Sequence, residues 1–250
     1  MTFSSKINFS FLCLMMTIAS LGLPSPGMAE SLPEHRINIS FDLAEHKIFG
    51  KVDATFPEDV RTIRVGRGLR ITKFIIDGKT VAPKVRDGRI ALPSHKGSLQ
   101  IQMEYEGVFA NKKGENLANT IGKEGVFLLS GWHPAAETEL ARFSLQAMVP
   151  GNFQGVSEAE DIIIKGMGDQ KLITFNFPHP VMNIHFITAP YVVNKDQHGG
   201  VQVETYLLPE DQNLANRYLE ASKKYLEMYE EMLGPFPFKR FAVVENILPT

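Results

Sequence analysis

The stretch "RINISFDLAEHKIFGKVDATF" (Arg36–Phe56) decides the fold. Apolar residues alternate with polar ones before and after a short polar turn at Ala44-Glu45-His46. One face of the pattern carries Ile37, Ile39, Phe41, Leu43, Ile48, Gly50, Val52, Ala54 and Phe56. A period of two places successive side chains on opposite faces of a strand. The stretch therefore predicts an antiparallel hairpin with one buried and one solvated face.

Short runs of the same kind continue along the chain, separated by turn signals such as Asp77-Gly78 and Asp87-Gly88. The predicted strands are Thr62–Val65, Ile71–Ile76, Arg89–Leu92, Leu99–Tyr105, Val126–Leu129, Arg142–Val149, Asp161–Ile164, Leu172–Phe177, Asn183–Val193 and Val201–Leu207. The polar segment Phe109–Gly125 predicts a surface loop, because its glycines lack the spacing of a phosphate-binding loop. Many short strands without a helical period predict a mainly β fold, an antiparallel β-sandwich.

After Pro209 the period changes to that of a helix. Apolar residues recur at alternating steps of four and three, at Leu214, Tyr218, Ala221, Tyr225, Met228 (with Tyr229) and Met232. This pattern predicts one long amphipathic helix that ends at Gly234 and Pro235, with the Tyr/Met stripe packed in the core. A strand, Phe241–Val244, is predicted next. We expect Phe236–Thr250 to be exposed or poorly ordered, because no sheet is evident for this strand to join.

Residues 1–29 have the form of a signal peptide. Lys6 supplies the positive start, Phe9–Leu23 is apolar, and Gly27 and Ala29 are small residues before a cleavage site. The alternative is an uncleaved membrane anchor, but the apolar run is shorter than the ~20 residues that a bilayer span needs. We expect cleavage after Ala29, export to the periplasm or medium, and no stable membrane span afterwards.

Composition narrows the possible functions. The 26 basic and 28 acidic residues are mixed along the chain and give a net charge of −2, so no basic surface is predicted for nucleic acid. The only cysteine, Cys13, lies in the predicted signal peptide. The exported chain is then predicted to have no disulfide, no thiol nucleophile and no thiolate metal ligand.

Metal and serine-hydrolase motifs are absent from the sequence. No two of the seven histidines have the i, i+4 spacing of a helical zinc site, and there is no H-E-x-x-H. His179 and His185 come nearest to a metal pair, and the competing interpretation is a turn histidine and a half-buried strand histidine. The segment Ser130–His133 lacks the G-x-S-x-G pattern.

Acidic residues are the remaining candidates for chemistry. A glycosidase needs two carboxylates that face one cleft. The acidic residues of the central region are Glu137, Glu139, Glu158, Glu160 and Asp161, and a solvated face is the competing interpretation. The sequence by itself predicts no catalytic residue and no metal ligand, and it leaves substrate-binding residues unassigned.

Four stretches, in this order, resemble the N-terminal part of the gluzincin aminopeptidases, the membrane alanyl aminopeptidase family of zinc metallopeptidases. They are "INISFDLAEHKIFGKVDATF" (37–56), "GWHPAAETELARFSLQAMVP" (131–150), "HFITAPYVV" (185–193) and "VETYLLPEDQNLANRYLEASKKYLEMYEEMLGPFPFKRFAVVE" (203–245). The last resembles the helix, proline turn and strand with which that family's thermolysin-like catalytic domain begins.

The resemblance implies three segments: a signal peptide (1–29), an N-terminal β-sandwich domain (30–208) and the start of a truncated catalytic domain (209–250). In the family, zinc is held by H-E-x-x-H and a distal Glu, and the metal activates water. Those positions lie beyond this sequence, and the segment "NILPT" stands where the family has Gly-x-Met-Glu-Asn. The resemblance therefore implies zinc, a catalytic domain in cis and a peptide substrate only for a longer polypeptide, and an inactive, zinc-free chain as given.

A second hypothesis is a stand-alone periplasmic β-sandwich that binds a protein or a sugar, with the long helix packed back on the sandwich. A third is an enzyme complete within these residues, which the absence of a visible acid, base or nucleophile argues against. The DNA after codon 250 separates the first two, because an in-frame H-E-x-x-H supports the peptidase.

Overall fold

A computed structural model describes residues 31–110 and 119–246, which are mostly β-strands with one α-helix, and the described residues from Leu32 onward form one compact unit. The predicted signal peptide, with Cys13, lies outside the described residues. The strands are β1 Glu34–Asp42, β2 Lys47–Phe56, β3 Thr62–Arg64, β4 Leu69–Ile76, β5 Lys79–Thr80, β6 Arg89–Ala91, β7 Leu99–Val108, β8 Asn119–Gly122, β9 Gly125–Leu128, β10 Ala135–Ala136, β11 Arg142–Pro150, β12 Gln154–Val156, β13 Asp161–Met167, β14 Gln170–Asn176, β15 Phe186–Ala189, β16 Val192–His198, β17 Val201–Leu207 and β18 Arg240–Val244. A 3-10 turn, Pro209–Leu214, leads into helix α1, Ala215–Leu233.

The predicted hairpin is confirmed and forms the centre of an eight-stranded sheet. Strands β1 and β2 pair antiparallel with Ile37 opposite Val52, and the Asp42 carboxylate accepts the N–H groups of Ala44 and Glu45 at 3.1 Å in the turn. The sheet order is β13-β14-β11-β1-β2-β7-β4-β5, and β1–β11 is its one parallel pair among the described strands. The alternation read from the sequence therefore sets which side chains enter the core.

Two smaller sheets, β10-β3-β6 and β12-β15-β9-β8, contribute to the same hydrophobic core. Its largest fully buried side chains are Trp132, Phe56, Phe175 and Phe186, and the Trp132 indole N–H donates to the Ile184 carbonyl at 3.1 Å. A polar atom buried at this depth needs such a partner. The predicted fold class, a mainly antiparallel β-sandwich, is confirmed.

A fourth sheet, β16-β17-β18, is covered on one side by α1. Strands β17 and β18 are parallel, with Val203 opposite Phe241, so β17, α1 and β18 form a β-α-β unit. The prediction that Phe241–Val244 has no sheet to join is wrong, because β18 pairs with β17, whose residues lie 38 positions earlier in the chain. Residues 247–250, the end of the predicted exposed tail, lie outside the described residues.

Two further predictions need correction. Asn183–Val193 is not one strand, because β15 and β16 separate at Pro190-Tyr191 and belong to different sheets. Within the predicted loop Phe109–Gly125, Asn119–Gly122 is a strand paired with β9. Residues 111–118 of that loop lie outside the described residues.

The helix itself is confirmed, but its predicted core face is wrong. The side chains that pack on the sheet are Leu219 and Leu226, which contact Val201 and Val203. Tyr225 of the predicted stripe is 59% exposed. The stripe that the sequence assigns to the core therefore lies on the surface of the described unit.

Candidate functional site

The largest cluster of interacting charged and polar side chains lies where the sandwich meets the β-α-β unit. A cavity of about 420 Å³ lies between β12 and β15 on one side and β18 on the other. Alternate residues of β18, Ala242 and Val244, line it together with Val156 and Ile187. Phe241, on the opposite face of β18, packs towards α1. The cavity is therefore apolar at its base, and its polar groups lie at its rim.

A buried charge network adjoins this cavity at Arg240, and its other members, Lys195, Glu204 and Tyr206, line a neighbouring pocket. Glu204, on the central strand β17, is 1% exposed and pairs with Lys195 of β16 at 2.8 Å and with the Arg240 guanidinium of β18. Arg240 also donates to the Ala159 carbonyl at 2.6 Å and to the Tyr206 hydroxyl at 3.2 Å. Because Ala159 belongs to the sandwich, Arg240 ties the sandwich to the β-α-β unit.

Electrostatics in the network favour a charged Glu204. Burial alone pushes the pKa of this carboxyl upward, but the hydrogen bonds from Lys195 and Arg240 outweigh it and hold the pKa below its usual range. Burial raises the pKa of the Tyr206 phenol, and the Glu204 charge adds to that rise. Tyr206 therefore stays protonated and donates to Glu204 at 3.1 Å. A buried carboxylate held between two cations in this way supports structure and is not free to act as a base.

Glu158 and His185 form a second pair at the rim of the cavity. The Glu158 carboxylate bonds the His185 ring at Nδ1 and accepts its backbone N–H at 3.0 Å. Burial opposes ionisation of Glu158, yet the bonds from His185 leave its pKa lowered, and the same carboxylate raises the pKa of His185. A glycosidase acid needs a raised carboxyl pKa, so Glu158 does not fit that role.

Ser157 lies beside this pair but is not an activated nucleophile. Its hydroxyl donates to the backbone carbonyl of His185 at 2.5 Å and lies 3.2 Å from the Glu158 carboxylate. Nucleophilic catalysis needs the hydroxyl against a ring nitrogen of the base. Ser157, His185 and Glu158 are the residue types of a hydrolase triad and lie close together, but they do not have the geometry of a triad.

The structure separates the two histidines that came nearest to a metal pair. His185 bonds Glu158, whereas His179 lies 3.8 Å from Glu160, which also pairs with Lys239 at 3.4 Å. Across residues 31–110 and 119–246, no three His, Cys, Asp or Glu side chains group closely enough to hold a metal ion. The described residues therefore do not by themselves form a site for the zinc that the family resemblance implies for a longer polypeptide.

The other sequence candidates lie away from the cavity. His133 is buried beside Trp132, with ring centres 4.5 Å apart, and Glu137 forms an exposed bidentate pair with Arg89. Glu139 and Asp161 are exposed. The competing interpretation, a solvated acidic face, holds for these carboxylates but not for Glu158 and Glu160, which line the cavity together.

Sequence reasoning missed the Glu204–Arg240 network. A signal was present, because Glu204 is the one charged residue inside the buried run Val201–Leu207. A charge in such a run requires a partner. The partner lies on β18, and only the parallel pairing of β17 with β18 brings it close.

Comparison with known proteins points to one group of enzymes. No family model matches the chain. A probable aminopeptidase 2 from Sulfurisphaera tokodaii is 23% identical over 220 residues, which cover 82% of this chain and 28% of that protein.

No helix among the described residues is long and apolar enough to cross a membrane.

Solved structures that share this fold include M1 zinc metallopeptidases. The enzyme from Deinococcus radiodurans aligns with a TM-score of 0.66 at 15% identity, and a variant of it with a TM-score of 0.67 at 14% identity. A two-domain M1 zinc metallopeptidase variant bound to L-arginine aligns at 0.66 and 15% identity. In each case 88% of this chain is covered, and the chain spans 57% of the solved one. The chain therefore has the fold of the N-terminal portion of the M1 zinc metallopeptidases.

Proposed function

We propose that this chain is the N-terminal portion of an exported, zinc-dependent aminopeptidase that acts on peptides. The β17-α1-β18 unit carries the proposal, because a parallel β-α-β crossover is foreign to an antiparallel sandwich and marks the start of a domain of α/β type. The similarity to M1 metallopeptidases and to an aminopeptidase supports the same interpretation.

The sandwich has a supporting role in this proposal. Through the bond from Arg240 to the Ala159 carbonyl, it holds the first parallel strand of the catalytic portion in place. In this proposal, a longer polypeptide that includes the catalytic portion supplies the zinc ligands and the general base. As given, the chain is proposed to be inactive and zinc-free, with the catalytic portion in cis as its partner.

The experiment compares two proteins. One is the chain from Glu30 to Thr250, and the other extends it by the in-frame coding sequence that follows codon 250. We expect the shorter protein to hold no stoichiometric zinc and to leave aminoacyl p-nitroanilides uncleaved. The longer protein should hold one zinc per chain and release p-nitroaniline, and a chelator should abolish that release.

Two results would overturn the proposal. One tightly bound zinc per molecule in the shorter protein would place a metal site within these residues. A stop codon followed by no frame with H-E-x-x-H would favour the stand-alone binding protein. Export is tested separately by N-terminal sequencing of protein recovered from the periplasm, which should begin at Glu30.

A further inference from the structure

Two turns of the chain contain the dipeptide Asp-Gly. Asp77-Gly78 joins β4 to β5, and Asp87-Gly88 lies directly before β6. All four residues have positive φ, 45° and 76° in the first turn and 49° and 70° in the second. Positive φ at both central residues is the backbone of a type I′ turn, for which Asp-Gly is a preferred sequence. The dipeptide and its φ angles are therefore nearly the same at both turns.

An Asp-Gly dipeptide is able to rearrange without an enzyme. The glycine nitrogen attacks Cγ of the protonated aspartic side chain, a C–N bond forms, and the carboxyl hydroxyl leaves with the amide proton as water. Water then adds to the five-membered imide. Attack at the former main-chain carbonyl breaks its bond to nitrogen and gives isoaspartate, whereas attack at the side-chain carbonyl restores aspartate. Glycine has no Cβ to hinder the first step, and water is the only co-reactant.

Strand β7 holds the first turn in place. The Asp77 N–H donates to the Gln100 carbonyl at 2.9 Å, and the Gln100 N–H donates to the Asp77 carboxylate at 2.9 Å. Ile76, just before the turn, is paired on both sides, with Lys79 of β5 and with β7. Attack by the Gly78 nitrogen requires the Asp77 side chain to turn away from Gln100. The hydrogen bonds to β7 therefore have to break before the reaction starts.

The second turn has less support. Its own backbone bonds join Arg86 and Arg89 at 2.8 and 2.9 Å, and the Gly88 carbonyl accepts the Val65 N–H at 2.7 Å. Among the described residues, the Asp87 carboxylate forms no hydrogen bond, and it acts on the Arg89 guanidinium through its charge. The segment between β5 and Arg86 forms no strand. The Asp87 side chain is therefore free to approach the Gly88 nitrogen when the turn opens.

We propose that Asp87 is a site of spontaneous isoaspartate formation in the folded chain, and that the fold protects Asp77 from the same reaction. Segments with few contacts open locally at a low free energy. The additional bonds to Gln100 make the reactive conformation of Asp77 less populated by about tenfold. This inference does not depend on the proposed function, because the reaction needs only the turn and water.

The rearrangement changes the edge of the three-stranded sheet β10-β3-β6. Isoaspartate lengthens the main chain at Asp87 by one carbon atom, so the two backbone bonds between Arg86 and Arg89 no longer fit together. Arg89 also forms a bidentate pair with Glu137, which joins β6 to the end of β10. Ile90, the next residue, is buried and keeps β6 in the core. We therefore expect a local change within an intact fold.

Peptide mapping of the chain from Glu30 to Thr250 tests the proposal. The folded protein is kept at neutral pH for several weeks and digested with chymotrypsin, and electron-transfer fragmentation then distinguishes isoaspartate from aspartate at each position. We expect about tenfold more isoaspartate at Asp87 than at Asp77. In guanidinium chloride, which removes the hydrogen bonds to Gln100, the two positions should react at similar rates.

Two results of this comparison would overturn the proposal. The first is an equal or larger yield at Asp77 in the folded chain. The second is the same ratio of the two yields with and without guanidinium chloride, because the neighbouring residues in the sequence, and not the fold, would then determine the difference.

Two substitutions at one position supply matched variants. Asp87→Glu keeps the charge, but its longer side chain would have to close a six-membered ring, so the isomerised peptide should disappear. Asp87→Asn tolerates positive φ and forms the same imide with ammonia as the leaving group, so the yield of isoaspartate should rise. Neither variant should change the melting temperature, because this side chain lies on the surface. An isomerised peptide that persists in Asp87→Glu, or an unchanged yield in Asp87→Asn, would refute the assignment.

Discussion

Two buried histidines make the free energy of unfolding of this chain depend on pH. They do so at pH values above the range in which carboxylates titrate. His35 is 1% exposed and stacks on Phe143, with ring centres 5.0 Å apart. Its Nε2 accepts the Ala136 N–H at 3.1 Å, so a proton on that nitrogen would break the bond. His133 is 4% exposed and lies edge-on to Phe143 at 5.8 Å. Both rings are therefore held in the neutral form.

The sign of the effect follows from the direction of the pKa changes. Burial, with a smaller effect of His133, lowers the pKa of His35 from 6.5 to about 3. Burial lowers the pKa of His133 to about 4, against the opposing effect of its bond to the Pro134 carbonyl. Below pH 6.5 the unfolded chain binds protons that the folded chain cannot bind. Acidification from neutral pH therefore favours unfolding.

The magnitude is large compared with the stability of a domain. One pKa unit corresponds to about 1.4 kcal/mol, and pH 5.0 lies 1.5 units below the unfolded pKa of 6.5 and above both folded values. Each histidine then removes about 2 kcal/mol between pH 7.5 and pH 5.0, and the two together remove about 4 kcal/mol. Domains are stable by about 5–15 kcal/mol. A substantial part of the folding free energy is lost before most carboxylates begin to titrate.

Urea unfolding of the chain from Glu30, followed by tryptophan fluorescence at half-unit steps from pH 7.5 to 5.0, measures this loss. His35→Gln retains an acceptor for the Ala136 N–H and removes the imidazole, so the loss should fall to about 2 kcal/mol. His185→Gln is the control of opposite sign. Glu158 raises the pKa of His185, so its contribution grows on acidification, and its removal should steepen the loss. Equal pH slopes for the parent and His35→Gln would refute the reasoning.

Two further substitutions test the packing and the charge network. Gly66→Ala places a Cβ 1.6 Å from the Gly131 carbonyl oxygen, so the backbone must move, and urea unfolding should show a loss of about 3 kcal/mol in the free energy of unfolding. In the control variant, Gly166→Ala, the added Cβ meets no atom within 4 Å, and the loss should be less than about 1 kcal/mol. Arg240→Met leaves the Glu204 carboxylate buried with one cation fewer and should cost about 3–5 kcal/mol at pH 7.5. That cost should shrink towards pH 4 as Glu204 takes up a proton, and an equal cost at both pH values would contradict the role given to this pair.

The parts of the fold that depend on local pattern could be predicted from the sequence. The hairpin from Ile37 to Phe56 has a strict period of two and a turn at Ala44-Glu45-His46, and it forms as predicted. Asp77-Gly78 likewise forms a tight turn, with positive φ at both residues (45° and 76°), between two strands. In each case the residues that decide the structure lie within a few positions of one another.

The predictions failed where contacts between segments that are distant in sequence determine the structure. In α1 the covered residue Leu219 and the exposed residue Tyr218 are neighbours in sequence, so their stripes are offset by only 100°. The helical pattern indicates that both positions are apolar, but the sheet beneath the helix decides which one is buried. The Glu204–Arg240 network was missed for the same reason, because Arg240 contacts Glu204 only through the pairing of β17 with β18.

Strand β18 forms an open edge of its three-stranded sheet among the described strands. Gln202 donates to the Lys239 carbonyl and Glu245 to the Tyr206 carbonyl, so residues of odd number on β18 face β17. The backbone groups of Arg240, Ala242 and Val244 then point to the other side, where no described strand pairs with them. Unpaired edge groups of this kind form a template for another strand.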